Sequence, residues 1–331
     1  MRVLVIGGAG YIGSHMVLSL QEAGHEVVVL DDLSTGHQDA VVGGTFVKGS
    51  MADSTLLDQL FDTGHFDGVM HFASFIRVDE SVADPQLYYV NNVVNTLTLL
   101  NAMVRNKVNN LVFSSTAAIY GEPQELLINE NHSKIPVNPY GRSKWMVEQI
   151  LRDYDLAYGL KSVCLRYFNA AGADPHGRAG ERHQPETHLI PLLLEAAAGL
   201  RQFINIYGTD YETPDGTCIR DYVHVTDLCS AHLLALDALV KGQDSASYNL
   251  GNGSGFSVWE VIEAVKKVTG YPVSVVKVPR RPGDPSHLIA DSRYAKEVLG
   301  WNPQYCSLES IINHAWSYFR ANSLKQHDIV N

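Results

Sequence analysis

The chain opens with a strand that runs straight into a glycine-spaced turn and a helix, and this restricts its fold more than any other feature. Val3 to Ile6 is a short apolar run suited to a parallel strand buried on both faces. Gly7, Gly10 and Gly13 follow in GxxGxxG spacing within "GGAGYIGSH". Ile12, Met16, Leu20 and Ala23 then mark one helical face, and Gly24 is placed to end the helix with a positive φ. A second strand, "EVVVLD", occupies 26–31. Strand, turn, helix and strand together make a βαβ unit. Small residues in such a turn let a pyrophosphate approach the backbone, and the helix N-terminus directs unpaired N–H groups and partial positive charge at it. Asp31 closes the second strand, where a carboxylate accepts hydrogen bonds from the adenosine ribose hydroxyls and repels a 2′-phosphate. The pattern therefore predicts NAD rather than NADP. Glycines also make ordinary turns, so the reading rests on the whole unit.

Strand and helix keep alternating to about residue 170, with strands expected at 68–74, 110–121 and 161–172. The fold class is α/β: a doubly wound parallel sheet of Rossmann type over 1–172, followed by a smaller α/β substrate domain over 173–331 with some segments returning to the first. No low-complexity linker or internal repeat separates the halves, which places the site between them. In such sheets ligands bind beyond the carboxyl ends of the strands, at "SST" (114–116) and "FASFIR" (72–77).

"NPYGRSKW" (138–145) sets Tyr140 and Lys144 four apart at a proline-led helix start. At this spacing both side chains share a face, and a nearby ammonium favours the phenolate over the phenol. Tyr140 becomes a candidate proton acceptor. On its own the pair reads as an amphipathic helix with a packed tyrosine and a solvated lysine, so the rest of the chain must decide. Thr116, with Ser114 and Ser115, offers a hydroxyl after an apolar strand, which suits orienting a substrate alcohol, although such a cluster alone is more often turn chemistry or a helix cap.

Composition excludes several classes. Over 331 residues, 45% hydrophobic and 18% charged, the chain is globular and long enough for two domains. A net charge of -11 argues against a nucleic-acid surface, though not against a local basic pocket. Cys164, Cys218, Cys229 and Cys306 form neither a CxxC pair nor a zinc pattern, so free thiols and no metal are expected. With no membrane-length apolar run and no signal peptide, a cytoplasmic protein is expected. Of the 14 histidines, His71, His188 and His224 lie near motifs and read as polar core or loop residues. "HVTDLCSAHLLALDAL" and "SVWEVIEAVKKVTG" have helical periodicity and read as packing helices.

Taken in order along nearly the whole chain, "GGAGYIGSH", "HFAS", "DES", "YYVNN", "FSSTAAIYG", "NPYGRSK", "LRYFNAAGA", "DGTCIRDYVHVTDL", "YNLGNG" and "RRPGD" resemble the extended short-chain dehydrogenase/reductases, and among them the nucleotide-sugar 4-epimerases. The resemblance implies reversible C4 inversion of a UDP-hexose, interconverting UDP-galactose and UDP-glucose through a 4-keto sugar on tightly held NAD. It implies Tyr140 as general base, Lys144 on the nicotinamide ribose, and Thr116 on the sugar hydroxyl. NAD is implied at Gly7, Gly10, Tyr11, Ile12, Gly13, Asp31, Phe72, Asn91, Tyr140, Lys144 and Phe168. The UDP-sugar is implied at Asn169, Leu189, Tyr207, Arg220, Arg281 and Asp284, with the arginines on the diphosphate and Asp284 on the uridine ribose. Leu288 stands where the family sets the size of the sugar pocket, and a homodimer is the family habit. A guanidinium fork does suit phosphate oxygens, although without the resemblance Arg220 and Arg281 read as surface ion pairs.

Two positions depart from the family: Ile76, where some relatives carry lysine near the sugar, and Ser50, where relatives carry an adenine-contacting aspartate. A 4,6-dehydratase, the alternative enzyme, needs an Asp-Glu pair after the threonine, and Ala117 and Ala118 stand there instead. A non-catalytic dinucleotide sensor on the same fold is the alternative from another class.

Overall fold

The computed structural model describes residues 1–281 and 284–328 of the 331. Its first half alternates β1 (Arg2–Ile6), α1 (Tyr11–Glu22), β2 (Glu26–Asp31), β3 (Thr45–Lys48), α2 (Ser54–Gly64), β4 (Gly68–His71), α3 (Val78–Ala83), α4 (Pro85–Tyr89), a π turn (Val90–Val94), α5 (Asn95–Arg105), β5 (Asn110–Thr116), α6 (Pro139–Tyr158) and β6 (Lys161–Tyr167). Then come β7 (Asn169–Ala171), α7 (Leu189–Ala197), β8 (Ile204–Tyr207), β9 (Ile219–Arg220), β10 (Tyr222–His224), α8 (Val225–Val240), β11 (Ala246–Leu250), β12 (Phe256–Ser257), α9 (Val258–Thr269), β13 (Val275–Val278), β14 (His287–Leu288), α10 (Arg293–Val298) and α11 (Leu308–Asp328).

Seven strands form one parallel sheet in the order β11-β6-β5-β4-β1-β2-β3. Strand order reverses between β1 and β4, which opens a crevice at their carboxyl ends. Val3, Leu4 and Val5 are fully buried, as a strand covered on both faces requires. Over one face, Met16, Val17 and Leu20 of α1 pack with Leu228, Ala235 and Leu236 of α8. Over the other, Leu57 and Phe61 of α2, Leu99 and Met103 of α5, and Val147 and Leu151 of α6 complete the sandwich. A separate core joins α7, α9, α11 and β8 through Leu193, Ile206, Val261, Ile311 and Trp316.

Three expected strands are shorter in the structure. The first stops at His71, and the second ends at Thr116, where the threonine hydroxyl accepts from Ala118 N–H and starts a short 3-10 turn, Ala117–Ile119. The third breaks at Phe168, after which β7 leaves the sheet and pairs with β10. Residues just past each of these strands, among them Phe72, Ala117 and Phe168, line the cavity described below. β3 was not expected from the sequence, nor was β11, which returns from the second half to pair with β6.

Candidate active site

The glycine turn is built by crowding. Gly7 adopts φ +79, and a Cβ there would sit 2.5 Å from Ala73 N, while a Cβ on Gly13 would lie 2.1 Å from the Gly7 carbonyl oxygen. Only hydrogen fits at either position. Gly10 begins α1 without a side-chain cap, so the first helical N–H groups have no side-chain acceptor at their cap. Asp31 is fixed at the end of β2, its Oδ2 accepting from Ala9 N–H at 2.8 Å and its Oδ1 from Leu33 N–H at 2.9 Å. Burial raises its pKa, with the two N–H bonds pulling the other way.

Across the crevice, Asn138 caps α6 by accepting from Gly141 N–H at 2.8 Å, which starts the helix at Pro139 and fixes Tyr140 and Lys144 in its first turns. Lys144 does not reach for Tyr140. Its ammonium donates to Ser74 Oγ at 2.7 Å and to the Ser114 carbonyl at 2.8 Å, and lies 4.7 Å from the Phe113 ring centroid. Burial lowers its pKa to about 7, against a partial offset from the Glu148 charge. Tyr140 lies above its ordinary pKa because burial penalises the phenolate, with the neighbouring Thr116 hydroxyl working in the opposite direction. In the chain by itself, desolvation therefore outweighs the ammonium effect expected from the i,i+4 spacing.

Sequence reasoning missed the frame behind these groups. Ser74, part of "HFAS", and the Ser114 carbonyl hold Lys144. Asn92, the second asparagine of "YYVNN", donates to Ser143 Oγ at 3.1 Å and to the Phe75 carbonyl at 3.0 Å, tying α6 to the loop after β4. Ser115 faces away from the site and donates to Glu148. Glu148, one turn beyond Lys144, is paired with Arg166 in a buried bridge, the two side chains 3% and 5% exposed.

A cavity of about 550 Å³ joins these parts. Gly7, Gly10, Tyr11, Ile12, Gly13 and Asp31 line it, as do Phe72, Asn91, Thr116, Tyr140, Lys144 and Phe168, and so do Asn169, Leu189, Arg220 and Leu288. Ser50 and Ile76 also border it. Tyr207, Arg281 and Asp284 are not among its wall residues. Arg220 donates to Asp284 Oδ1 at 3.2 Å, and the Arg281 guanidinium stacks 3.7 Å from the Tyr207 ring centroid. Pro282 and Gly283 of "RRPGD" lie outside the described residues. His71 and His224 are buried away from the cavity, and burial lowers each to about 3. His188 differs from them: it lines the cavity, bonded through Nδ1 to Glu181.

Residues 3–251 match the NAD dependent epimerase/dehydratase family. The chain belongs to that family. A UDP-glucose 4-epimerase from Halalkalibacterium halodurans is 53% identical over 320 residues, covering 97% of this chain and 96% of the relative. The structure of the Brucella ovis UDP-glucose 4-epimerase in complex with NAD is similar at TM-score 0.94 and 48% identity, over 96% of this chain and 98% of that one. The Bifidobacterium longum enzyme in complex with NAD+ and UDP is similar at TM-score 0.92 and 37% identity, over 98% and 99%. The dinucleotide in the family's name suits the residues present. The side-chain-free cradle at Gly7 and Gly13, the uncapped start of α1 and the pinned Asp31 carboxylate match a pyrophosphate followed by an unphosphorylated ribose.

Proposed function

We infer that the chain catalyses reversible C4 epimerisation of UDP-galactose and UDP-glucose with NAD retained through turnover. The observation that carries this reading is the single cavity in which the glycine cradle and Asp31 meet Thr116, Tyr140, Lys144 and Arg220. Bound NAD supplies the hydride acceptor and donor at C4. Tyr140 takes the proton of the C4 hydroxyl and later returns it, with Thr116 on the same cavity wall to orient the alcohol. Lys144, anchored on Ser74 and the Ser114 carbonyl, is the residue for the nicotinamide ribose. Arg220 and Arg281 hold the diphosphate, Asp284 the uridine ribose, and Tyr207, Asn169 and Leu189 the rest of the nucleotide. Phe72, Asn91 and Phe168 complete the NAD contacts. With the nucleotide clamped, the 4-keto hexose turns about its phosphate linkage and presents its other face. Tight nucleotide binding beside a loosely held sugar is what lets C4 be approached from both sides.

A dehydratase reading lacks its acids, since Ala117 and Ala118 follow Thr116 in the 3-10 turn. Further, we read the enzyme as a cytoplasmic homodimer. No helix of the described residues is long and apolar enough to cross a membrane, and the four cysteines are free. Val82, Leu87, Val90, Val94 and Met146 leave an apolar face exposed across α3, α4, the π turn and α6, where a second copy fits. Light scattering on the purified protein measures that state, and a V82E/V94E variant should shift it to monomer.

The reaction itself is tested by adding UDP-galactose to the purified protein without cofactor and following the C4 proton by NMR. UDP-glucose appearing supports both epimerisation and retained NAD. Unchanged substrate after NAD is supplied refutes the reading for this sugar, and a 4-keto-6-deoxy product selects the dehydratase.

A further inference from the structure

The loop between β7 and α7 gathers four metal-ligating side chains within eight residues: Glu181, His183, Glu186 and His188. One ligand atom from each lies within 4.8 Å of all the others. His183 Nδ1 stands 3.1 Å from Glu181 Oε1 and 3.7 Å from Glu186 Oε2, and His188 Nδ1 stands 3.8 Å from Glu186 Oε1 and contacts Glu181 Oε1 directly. A tetrahedral ion with bonds of about 2.1 Å sets its ligands about 3.4 Å apart. The imidazole–carboxylate separations lie on both sides of that spacing, and all four ligand atoms fall within 4.8 Å of one another, so side-chain adjustment within the cluster can set them around one ion.

Three features separate this cluster from an ordinary surface group of charges. The Glu181 and Glu186 side chains are only 6% and 7% exposed, so both carboxylates are withdrawn from water. Glu186 is already oriented: its Oε1 accepts from the Thr187 and His188 N–H groups at 2.7 and 2.8 Å, which leaves Oε2 to face His183. Hydrogen bonds of this kind orient metal ligands from behind. His183 Nδ1 is buried and makes no hydrogen bond of acceptable geometry, although it points among the carboxylates.

We propose that Glu181, His183, Glu186 and His188 bind one divalent first-row transition ion of the Zn²⁺ or Co²⁺ kind. Two imidazoles select such ions over Mg²⁺ and Ca²⁺, which prefer an all-oxygen shell. The ion stands in the wall of the main cavity, where Glu181, His183 and His188 are lining residues. It also fastens a loop that leans on the cofactor side of the molecule. The His183 ring meets Tyr11 of the glycine turn edge-on at 6.2 Å, and the Arg182 guanidinium grips Asp39 at 2.9 and 2.8 Å. The proposal does not depend on which sugar nucleotide the enzyme turns over.

The test uses the full chain, stripped with EDTA, freed of chelator and titrated with Co²⁺ while its visible d–d absorption is followed. One equivalent per chain should bind with the intense bands of a four-coordinate N/O site, should be displaced by Zn²⁺, and should raise the melting temperature. E186Q and H183Q should each weaken Co²⁺ binding by more than the ~10–100-fold typical of losing a group behind a ligand. C306S, which removes the exposed thiol, should bind as the parent does. His183 is 24% exposed, so H183Q carries the comparison if E186Q does not fold. No uptake by the parent protein, or uptake unchanged in H183Q, overturns the proposal and leaves the four residues as a pair of imidazole–carboxylate bridges.

Discussion

Lys144 is held by Ser74 and the Ser114 carbonyl, so removing Tyr140 leaves the ammonium in place. The Y140F variant should therefore retain NAD while losing about 10²–10⁴-fold in turnover, the usual share of positioned proton transfer. NMR turnover together with absorbance of the retained nucleotide separates the two effects. Glu148 is a different case, because it does not line the cavity yet is the partner of the buried Arg166. Breaking such a pair leaves an uncompensated charge, and E148A should cost about 3–5 kcal/mol in urea unfolding. The i,i+4 spacing of Tyr140 and Lys144 was legible in eight residues. What the ammonium actually bonds was not, because Ser74 and Ser114 come from two other strands' ends, 70 and 30 residues away.

Among the elements, α1 and α6 were readable because their signals are local: glycine spacing for one, Pro139 for the other, with the Asn138 cap added by the structure. Replacing Asn138 with alanine should cost about 1 kcal/mol, the usual worth of an N-cap, and should also loosen Tyr140 and Lys144 in the turns it starts. Lower turnover with NAD still bound is the accompanying kinetic result. G13A acts on the same crevice from the opposite wall. A methyl 2.1 Å from the Gly7 oxygen cannot be accommodated without moving backbone, so the purified variant should carry little or no NAD. Asp31→Asn should bind NAD more weakly and narrow the preference for NAD over NADP, as competition titrations with the two nucleotides would measure. The unexpected strands, β3 and β11, are short, and β11 carries Tyr248 and Asn249 amid its apolar residues. Their assignment depends on which neighbour they pair with, and that information is not local.

For the molecule as a whole, acid stability follows from buried neutral histidines. Burial lowers His71 and His224 to about 3 and His232 to about 4, all below the ordinary value near ~6.5. Between those limits the unfolded chain binds protons that the folded chain does not. The destabilisation these three histidines cause should therefore be absent above about pH 6.5 and grow as pH drops, by up to ~1.4 kcal/mol per pH unit for each. Urea unfolding at a series of pH values from 7 to 4.5 measures the slope, and H71Q should reduce it by one histidine's share.

Read without the structure, the chain already held the βαβ opening, the parallel α/β class, the glycine cradle with Asp31, and the proline-led helix bearing Tyr140 and Lys144. Periodicity, capping and turn chemistry act over a few residues and leave their pattern in the order of the chain. The tertiary structure decided how far burial outweighs the lysine's charge at Tyr140, which hydroxyl and carbonyl hold that lysine, and how β11 comes back to the sheet. It also decided that two glutamates and two histidines of one loop converge on a point. Desolvation, strand register and convergence depend on atoms far apart in sequence, and they take their values only once the chain has closed on itself.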